Sequence, residues 1–233
     1  MAVEIATEVD MTADQSRVVL LAGATGLVGR EILLDLLADK TVEEVHCVGR
    51  RPLAVKHPKL TTHVVDFGSL PTLPKVDECF IALGTTIKVA GSQTAFRAID
   101  LDAVVALALA ARSSGATKLG VVSAMGANPH SSVFYNRIKG EMELALTRMG
   151  FKSLVIARPS LIDGDRAALR QPGRASEGLG LLLARALRPL LPANYRAILA
   201  KDIAHGLIRA VQAARPGVVT LLSGEMQGGC GPD

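Results

Sequence analysis

The stretch RVVLLAGATGLVGREILLDLLA, residues 17–38, decides the fold. Its beginning, residues 17–22, is a short, mostly apolar run that ends at a glycine, which is typical of a buried strand. In its second half, residues 27–38, apolar side chains recur at helical spacing. A glycine-rich turn joins the two elements. A strand, a glycine-rich turn and a helix in this order predict the start of a βαβ unit.

The turn GATGLVG, residues 23–29, has the glycine pattern of a dinucleotide-binding loop. Gly23 permits the tight turn, Gly26 lets the backbone approach a pyrophosphate, and Gly29 lets the helix pack closely on the strand. The N-terminus of the helix then offers N–H groups and the positive end of its dipole to the phosphates. A purely structural turn is the alternative interpretation. The predicted phosphate-binding residues are Gly23, Ala24, Thr25, Gly26, Leu27, Val28 and Gly29.

Short apolar runs alternate with helical patterns along the rest of the chain. Because the runs are almost continuously apolar, they predict parallel strands that are covered on both faces. We therefore expect an α/β fold, a doubly wound and mostly parallel Rossmann sheet with a small C-terminal cap on the substrate side. The predicted strands are 17–22, 45–48, 61–65, 77–83, 119–122, 153–157 and 218–222, and the predicted helices are 27–38, 92–113, 132–149, 177–191 and 202–214.

The domain boundaries follow from this pattern. Residues 17–222 are expected to form one Rossmann domain, to which residues 159–214, beginning with a loop rich in Arg, Gly and Pro, contribute the cap. Residues 1–16 carry four acids and no basic residue, which argues against a secretory signal and predicts a flexible lead-in. Residues 223–233 end in GGCGPD and predict a mobile tail.

Composition limits the classes of function. The chain has 233 residues, of which 49% are hydrophobic and 21% charged, so it can bury a sizeable core and is not of the disordered class. The net charge of +4 does not by itself indicate nucleic acid, and we expect no such partner. The longest apolar runs, 101–111 and 179–191, are shorter than the roughly 20 residues of a membrane span, so no stable membrane insertion is expected. A homo-oligomer or a protein partner stays open.

Cysteine and histidine spacing argues against a metal or redox site. Cys47, Cys79 and Cys230 have no ligand-type spacing, and the first two lie in apolar runs where a buried free thiol is expected. The five histidines are scattered without ligand spacing, so no metal is expected. Free thiols fit a reducing compartment, and we therefore expect a cytoplasmic protein.

Two arginines after the second predicted strand indicate the type of dinucleotide. An acidic residue at this position would bind the ribose 2′-hydroxyl, but the chain has GRRP at residues 49–52. The guanidinium groups of Arg50 and Arg51 suit a 2′-phosphate in both charge and geometry. We therefore expect NADP(H) rather than NAD(H), with a solvated basic pair as the alternative interpretation.

Further cofactor contacts are expected where the next two strands end, because parallel strands bring their carboxyl ends to one edge of the sheet. Asp66 and Phe67 follow the third predicted strand and are placed to flank the adenine. The residues that follow the fourth strand would let the middle of the cofactor pass, and they are Leu83, Gly84 and Thr85.

A serine, a tyrosine and a lysine point to proton transfer. Ser123 ends the fifth predicted strand, and Tyr135 and Lys139 are four residues apart on one face of the next helix. The tyrosine hydroxyl would exchange a proton with a substrate oxygen as a hydride moves, and the lysine ammonium would favour the phenolate and bind the nicotinamide ribose. The Ser123 hydroxyl would donate a hydrogen bond to the reacting carbonyl. Since Tyr-x-x-x-Lys alone often arises by chance, the interpretation depends on all three residues and on the glycine turn.

Together these segments resemble the atypical short-chain dehydrogenase/reductases, a family of NAD(P)-binding Rossmann proteins. The resemblance covers roughly residues 17–214 and is carried most specifically by GATGLVGR, VGRRPL, VVDFGSL, CFIALGTT, VVSAMGA, FYNRIKGEME and ARPSLIDGDR. It implies NADPH at the Rossmann site and an active tyrosine at Tyr135, with Lys139 at the nicotinamide end. It also implies cofactor contacts from Ile162 and Arg170, after the sixth strand.

One departure from the family pattern bears on turnover. Many members relay protons through an asparagine on the long helix, whereas the matching segment here has an acid, Asp100. We expect an NADPH-dependent oxidoreductase that acts on a small carbonyl or alcohol substrate. The alternative is an NADP(H)-binding regulatory protein with little or no turnover.

Overall fold

Seven parallel strands form one sheet in the computed structural model, which describes residues 16–163 and 192–227. The strands, numbered along the chain, are β1 (Arg17–Ala22), β2 (Val42–Gly49), β3 (Leu60–Val64), β4 (Glu78–Ile81), β5 (Lys118–Val122), β6 (Ser153–Arg158), β7 (Ile162–Asp163), β8 (Ile198–Leu199) and β9 (Gly217–Leu222). The order across the sheet is β3-β2-β1-β4-β5-β6-β9, and β7 and β8 pair separately.

Helices cover both faces of this sheet. They are α1 (Leu27–Ala38), α2 (Ile87–Ala90), α3 (Gln93–Arg97), α4 (Ala103–Ser113), α5 (Phe134–Thr147), α6 (Ala200–Gln212) and α7 (Ser223–Met226). A π-helical turn at Ala98–Asp102 joins α3 to α4 without a break, and a 3₁₀ turn at Ala193–Tyr195 precedes β8.

The strand order reverses beside β1. This strand pairs with β2 on one side and with β4 on the other, and its last residue, Ala22, is in register with Val48 and Ile81. The loops that follow these three strands therefore start at the same edge of the sheet. A reversal of this kind in a parallel sheet leaves a crevice at the carboxyl ends of the strands, where ligands bind.

Both faces of β1 are buried, which explains its continuous apolar sequence. Leu20 and Ala22 belong to the core on the side of α4 and α5, whereas Val19 and Leu21 belong to the core on the side of α1 and α6. Successive side chains of a strand point to opposite faces, so a strand between two helical layers is apolar throughout. The predicted doubly wound, parallel Rossmann sheet is confirmed.

The seven predicted strands all occur in this sheet, with shifted boundaries. β2 begins at Val42, three residues earlier than predicted, because Val42 is in register with Arg17 of β1. The helix predicted over 92–113 is one helical segment, and Ser92 caps it by accepting a hydrogen bond from the Ala95 N–H at 3.0 Å. Its π-helical turn, α2 and the β7–β8 pair were not predicted, since elements of two to five residues carry little periodicity.

The C-terminal region differs from the predicted tail. α6 buries Ile203 and Leu207 against the sheet, so this helix belongs to the helical layer of the domain, and the cap expected over residues 159–214 stays a prediction. The predicted mobile tail cannot begin at residue 223, because α7 starts there and buries its Met226 beside Gly206.

Four predicted features lie outside the described residues, namely the lead-in up to residue 15, the loop with Arg170, the helix over 177–191, and the end of the tail over 228–233. Within the described ranges, no helix is both long enough and apolar enough to cross a membrane. The same ranges contain no group of three or more His, Cys, Asp or Glu side chains that could hold a metal ion. Cys47 and Cys79 are buried free thiols, as predicted, and burial raises the pKa of Cys47 to about 12.

Candidate functional site

A cavity of about 570 Å³ lies at the edge of the sheet where β1, β2 and β4 end. Many of the predicted cofactor-binding residues line it, namely Gly23, Ala24, Thr25, Gly26, Arg50, Arg51, Phe67, Leu83, Gly84 and Thr85. The lining residues that the sequence did not single out are Cys47, Val48, Gly49, Leu53, Thr62, His63, Ala82, Thr86, Val89 and Ile99.

The glycine turn contains close approaches that a side chain would prevent. Gly23 has a φ of +92°, a conformation that favours glycine, and a Cβ atom there would lie 2.4 Å from the Ala82 carbonyl oxygen. A Cβ atom at Gly29 would lie 2.1 Å from the Gly23 carbonyl oxygen. Gly23 therefore contacts both the end of β4 and the first turn of α1, and this contact keeps the loop short and close to the cavity.

The N-terminus of α1 borders the cavity through Gly26. Gly26 is the N-cap residue, no side chain caps the helix there, and its first turn has no acidic residue. N–H groups in the first turn have no partner within a helix, so they suit an anion. Leu27, Val28 and Gly29 do not line the cavity themselves. Val28 and Gly29 are buried and position the helix instead.

Arg50 and Arg51 give the cavity a positive wall. Both side chains are exposed, and within the described part of the chain neither forms an ion pair. Among the described residues, those that line the cavity include no Asp or Glu. Two guanidinium groups on a wall without an acidic neighbour attract an anion.

The two residues after β3 have different positions. Phe67 lines the cavity, whereas Asp66 does not. The Asp66 carboxylate accepts a hydrogen bond from the Gly68 N–H at 2.9 Å. Asp66 therefore stabilises the turn that carries Phe67. Its position does not support the expected contact between Asp66 and the adenine.

Tyr135 and Lys139 lie on one face of α5, as their spacing predicts. The Tyr135 ring is half-buried and packs on Phe96, with 5.6 Å between the ring centroids. Lys139 is buried, and its Nζ lies 2.8 Å from Oδ1 of the buried Asp100. Neither Tyr135 nor Lys139 lines the cavity itself.

The ion pair with Asp100 decides the charge of Lys139. Burial favours the neutral amine, but the Asp100 carboxylate together with Tyr135 and Glu143 outweighs it, so the pKa of Lys139 lies above its ordinary value. Lys139 is therefore a cation whose charge is largely balanced within the protein.

Asp100 also links this face of α5 to the cavity wall. Its Oδ2 accepts a hydrogen bond from the Thr85 N–H at 2.9 Å, while Oδ1 pairs with Lys139. Asp100 lies in the π-helical turn, a local widening of a helix that is frequent at functional sites. The sequence identified Asp100 only as a departure from the family pattern, because its two partners come from other elements of the fold.

A second buried carboxylate, Glu143, organises the end of β5. The buried Ser123 donates a hydrogen bond from its hydroxyl to Glu143 Oε1. Arg158 binds the same carboxylate, with Nη2 2.5 Å from Oε2 and Nε 3.1 Å from Oε1, and this hydrogen bonding raises the pKa of Arg158. The expected role of Ser123 as a donor to substrate differs from this geometry, because its one hydroxyl proton is engaged.

Some predicted site residues are not brought together, and some functional residues were missed. Ile162 lies in β7 and packs against the core on the α1 and α6 side. Arg170 lies outside the described residues. Sequence reasoning missed Glu143 and Arg158. Glu143 could have been found, since it follows Lys139 by four residues on the same helical face, whereas Arg158 has no local signal.

Two relatives identify the family. The chain is 30% identical over 220 residues to Protein HTATIP2 of Rattus norvegicus, covering 91% of this chain and 86% of the relative. It is 36% identical over 177 residues to Protein fmp52, mitochondrial, of Aspergillus niger, covering 72% of this chain and 76% of the relative. The chain belongs to the HTATIP2 and FMP52 family. The expected membership of an atypical NAD(P)-binding Rossmann family is thereby confirmed, although no family model matches the chain.

Solved structures share the fold at low sequence identity. MoeE5 in complex with UDP-glucuronic acid and NAD matches with a TM-score of 0.68 and 19% identity, covering 88% of this chain and 76% of that protein. The WbmH enzyme of Bordetella bronchiseptica, in complex with NAD⁺, matches with a TM-score of 0.64 and 17% identity, covering 89% of this chain and 76% of that protein. The chain thus has a Rossmann fold of the type found in these NAD-bound proteins.

The expected cytoplasmic location is wrong. The fungal relatives are named mitochondrial proteins, which contradicts it. The prediction depended on free thiols, and these indicate a reducing compartment without distinguishing one such compartment from another.

Proposed function

We propose that this protein is an NADPH-dependent oxidoreductase that reduces a small carbonyl compound or oxidises the corresponding alcohol. The observation that supports it most is the cavity, which combines a sterically required glycine turn with two arginines and is lined by no acid in the part of the chain that the structure describes. A dinucleotide that carries a 2′-phosphate is the ligand that matches this combination.

The residues present fit such a dinucleotide. The space left at Gly23 and Gly29 brings the first turn of α1 close enough for its N–H groups to bind the pyrophosphate. Arg50 and Arg51 would hold the 2′-phosphate through charge-assisted hydrogen bonds. Phe67 would pack against the adenine. The middle of the cofactor would pass along the loop after β4, at Leu83, Gly84 and Thr85.

When bound, NADPH supplies a hydride, and the protein has to supply a proton. The Tyr135 hydroxyl gives this proton to the carbonyl oxygen during reduction and takes it back during oxidation. The Lys139 cation stabilises the phenolate that forms on Tyr135, but less than an unpaired lysine would, because Asp100 balances its charge. Asp100 in turn fixes the position of Lys139 and ties it to the loop after β4.

Ser123 does not donate to the substrate in this scheme. Its hydroxyl proton goes to Glu143, so only its lone pairs are left. A carbonyl oxygen has no proton to give to those lone pairs, and the one hydroxyl proton of the alcohol goes to Tyr135. Tyr135 is then the hydrogen-bond donor to the carbonyl and the acceptor of the alcohol proton.

Cofactor choice is tested by titrating NADPH and NADH into the purified protein. The double substitution Arg50→Ala with Arg51→Ala should weaken NADPH about tenfold to a hundredfold, because it removes hydrogen bonds between charged groups, and should weaken NADH much less. Arg112→Ala with Arg148→Ala removes the same charge from exposed positions outside the cavity wall and should leave both affinities unchanged. Equal losses for the two dinucleotides would overturn the NADP(H) assignment, and failure of both to bind would overturn the proposal itself.

A regulatory protein with little turnover is the second candidate. It is favoured by the buried charges beside Tyr135, since Lys139 and Glu143 are already paired with Asp100 and Arg158. Turnover of a panel of carbonyl compounds with an efficiency above about 10⁴ M⁻¹s⁻¹ would contradict this alternative. Tight NADPH binding without turnover on the panel would favour it over the oxidoreductase.

A further inference from the structure

Two histidines stand together behind the positive wall of the cavity. His63, on β3, lines the cavity together with Arg50 and Arg51. His46, on the neighbouring strand β2, is buried, and its Nδ1 lies 3.1 Å from Nε2 of His63. A hydrogen bond therefore joins the cavity wall to a buried imidazole.

The neighbour of His46 sets the direction of this hydrogen bond. Oε2 of Glu44 lies 3.4 Å from Nε2 of His46, and a carboxylate favours the tautomer that carries a proton on this nitrogen. A neutral His46 then has its lone pair on Nδ1, so it accepts the hydrogen bond, and Nε2 of His63 donates it. The other ring nitrogen of His63 is left to gain or lose a proton.

His46 is the neutral member of this pair. Burial lowers the pKa of His46 most, and although Glu44 opposes this, His63 lowers the pKa further, so His46 stays neutral near pH 7. His63 is half-buried and borders the cavity, where a charge is solvated or meets a ligand.

The surroundings of His63 are poor in negative charge. The titratable and charged groups around it are Glu44, His46 and Cys47 on β2, Arg50 and Arg51 in the following loop, and Asp66 in the turn after β3. Cys47 is an uncharged thiol because burial raises its pKa to about 12. The carboxylates of Glu44 and Asp66 do not line the cavity, and Asp66 is hydrogen-bonded within its own turn. A cation on His63 thus lacks an acid on the cavity wall.

We propose that His63 is a third, pH-dependent cation of the 2′-phosphate site, held by His46, and that it raises the preference for NADP(H) over NAD(H) as the pH falls. This rests on the proposed function, because it needs NADP(H) in the cavity. A phosphate dianion favours the protonated imidazole, so NADP(H) binding takes up a proton that NAD(H) binding does not. The preference is strongest where His63 is protonated and weakens as the pH rises and His63 becomes neutral.

The first experiment measures NADP⁺ and NAD⁺ affinity by calorimetry between about pH 6.5 and about pH 8.5, where the phosphate is mostly a dianion. The ratio of the two affinities should fall about three- to tenfold across this range in the unmodified protein. His63→Gln should make the ratio nearly independent of pH. His63→Lys should keep the ratio high and flat, because a lysine stays charged throughout the range. His130→Gln removes an exposed histidine far along the sequence and should keep the original slope.

The second experiment counts protons by repeating the titration in buffers of different ionisation enthalpy. NADP⁺ binding near pH 7.5 should take up a fraction of a proton, NAD⁺ binding should take up none, and the uptake should vanish in His63→Gln. A slope or an uptake that is unchanged in His63→Gln would overturn the role of His63 while leaving the proposed function intact. If neither dinucleotide binds the unmodified protein, the proposed function itself fails.

Discussion

The two ends of the site differ in how the protein uses its charges. At the proposed phosphate end, Arg50 and Arg51 are exposed and have no ion-pair partner among the described residues. At the proposed catalytic end, Lys139 and Glu143 are buried and paired with Asp100 and Arg158. The charges of the two arginines are therefore available to a ligand, whereas the charges of Lys139 and Glu143 are neutralised by other residues of the protein.

This difference separates binding from stability. An exposed, unpaired arginine contributes little to the free energy of unfolding, so substitutions at the phosphate end should change ligand affinity alone. Removal of one partner of a buried ion pair lowers the free energy of unfolding far more, because the other charge is left in a poorly solvated place. Substitutions at the proposed catalytic end should therefore change stability and chemistry together. Tyr135 is the informative exception, because its hydroxyl can be removed while the ring that packs on Phe96 is kept.

The largest effect is expected for Tyr135→Phe. Loss of the hydroxyl removes the proton donor and should lower kcat by a factor of about 10² to 10⁴. Cofactor affinity and the melting temperature should change little, because the ring that packs on Phe96 is kept. Steady-state NADPH oxidation with a substrate found on the carbonyl panel measures kcat. Calorimetry measures the cofactor affinity and the melting temperature.

Tyr195→Phe is the matched control, since the chain has only two tyrosines and Tyr195 is 59% exposed. It should behave as the unmodified protein. Equal activity of the Tyr135 and Tyr195 variants would break the proposed chemistry while leaving the binding site in place.

Asp100→Asn should destabilise the protein by about 3 kcal/mol, because it removes the charge that faces the buried Lys139. The amide can still accept the Thr85 N–H, so the loss reports on the ion pair. Urea unfolding followed by circular dichroism measures it. Asp102→Asn makes the same chemical change two residues away, where the carboxylate is exposed and lies 4.0 Å from Arg97, and should cost less than about 0.5 kcal/mol. Similar losses for both variants would contradict a special role for Asp100.

Glu143→Gln should cost about 1–3 kcal/mol, because it weakens the charge-assisted hydrogen bonds to Arg158. The comparison is Glu141→Gln, two residues earlier on the same helix, where the carboxylate pairs with Arg97 at the surface and contributes less than about 1 kcal/mol. The same urea titration serves both variants. A Glu141 variant as unstable as the Glu143 variant would show that burial does not distinguish the two pairs.

The smallest effect on stability belongs to the phosphate end. Arg50→Ala with Arg51→Ala should change the free energy of unfolding in the absence of ligand by less than about 0.5 kcal/mol. The stabilisation that NADPH gives the unmodified protein should shrink in this variant, because ligand-induced stability follows affinity. Melting curves with and without NADPH test both statements. A large loss of stability without ligand would mean that the two arginines stabilise the folded protein. It would contradict the expectation that this end of the site changes ligand affinity alone.

The phosphate end was more predictable from the sequence than the catalytic end, for a physical reason. The roles of Gly23 and Gly29 depend on backbone geometry within a single turn, and Arg50 and Arg51 adjoin a strand end, so the signals are local. The partners of Lys139 and Glu143 come from other elements and meet only in the folded chain. Buried ion pairs of this kind leave no periodic pattern in the sequence.

The elements of the fold follow the same rule. The strands of the sheet were predictable because a continuous apolar run between two helices is typical of a buried parallel strand. The β7–β8 pair, at Ile162–Asp163 and Ile198–Leu199, is too short to carry a pattern and joins segments far apart in sequence. The buried end of α6 and the start of α7 depend on contacts such as Met226 beside Gly206, which composition alone does not reveal.

Asp100 binds both the Thr85 amide and Lys139 through one carboxylate. Because of this shared contact, the half of the site around Tyr135 is harder to redesign than the half around the two arginines. Under the proposed function, residues 50 and 51 can be exchanged together to retarget the nucleotide, since neither side chain forms a hydrogen bond or an ion pair with another described residue. Redesign around Tyr135 has no such freedom. A substitution that moves Lys139 also displaces the loop after β4, because Asp100 binds both. A change of substrate at this end therefore requires several substitutions made together.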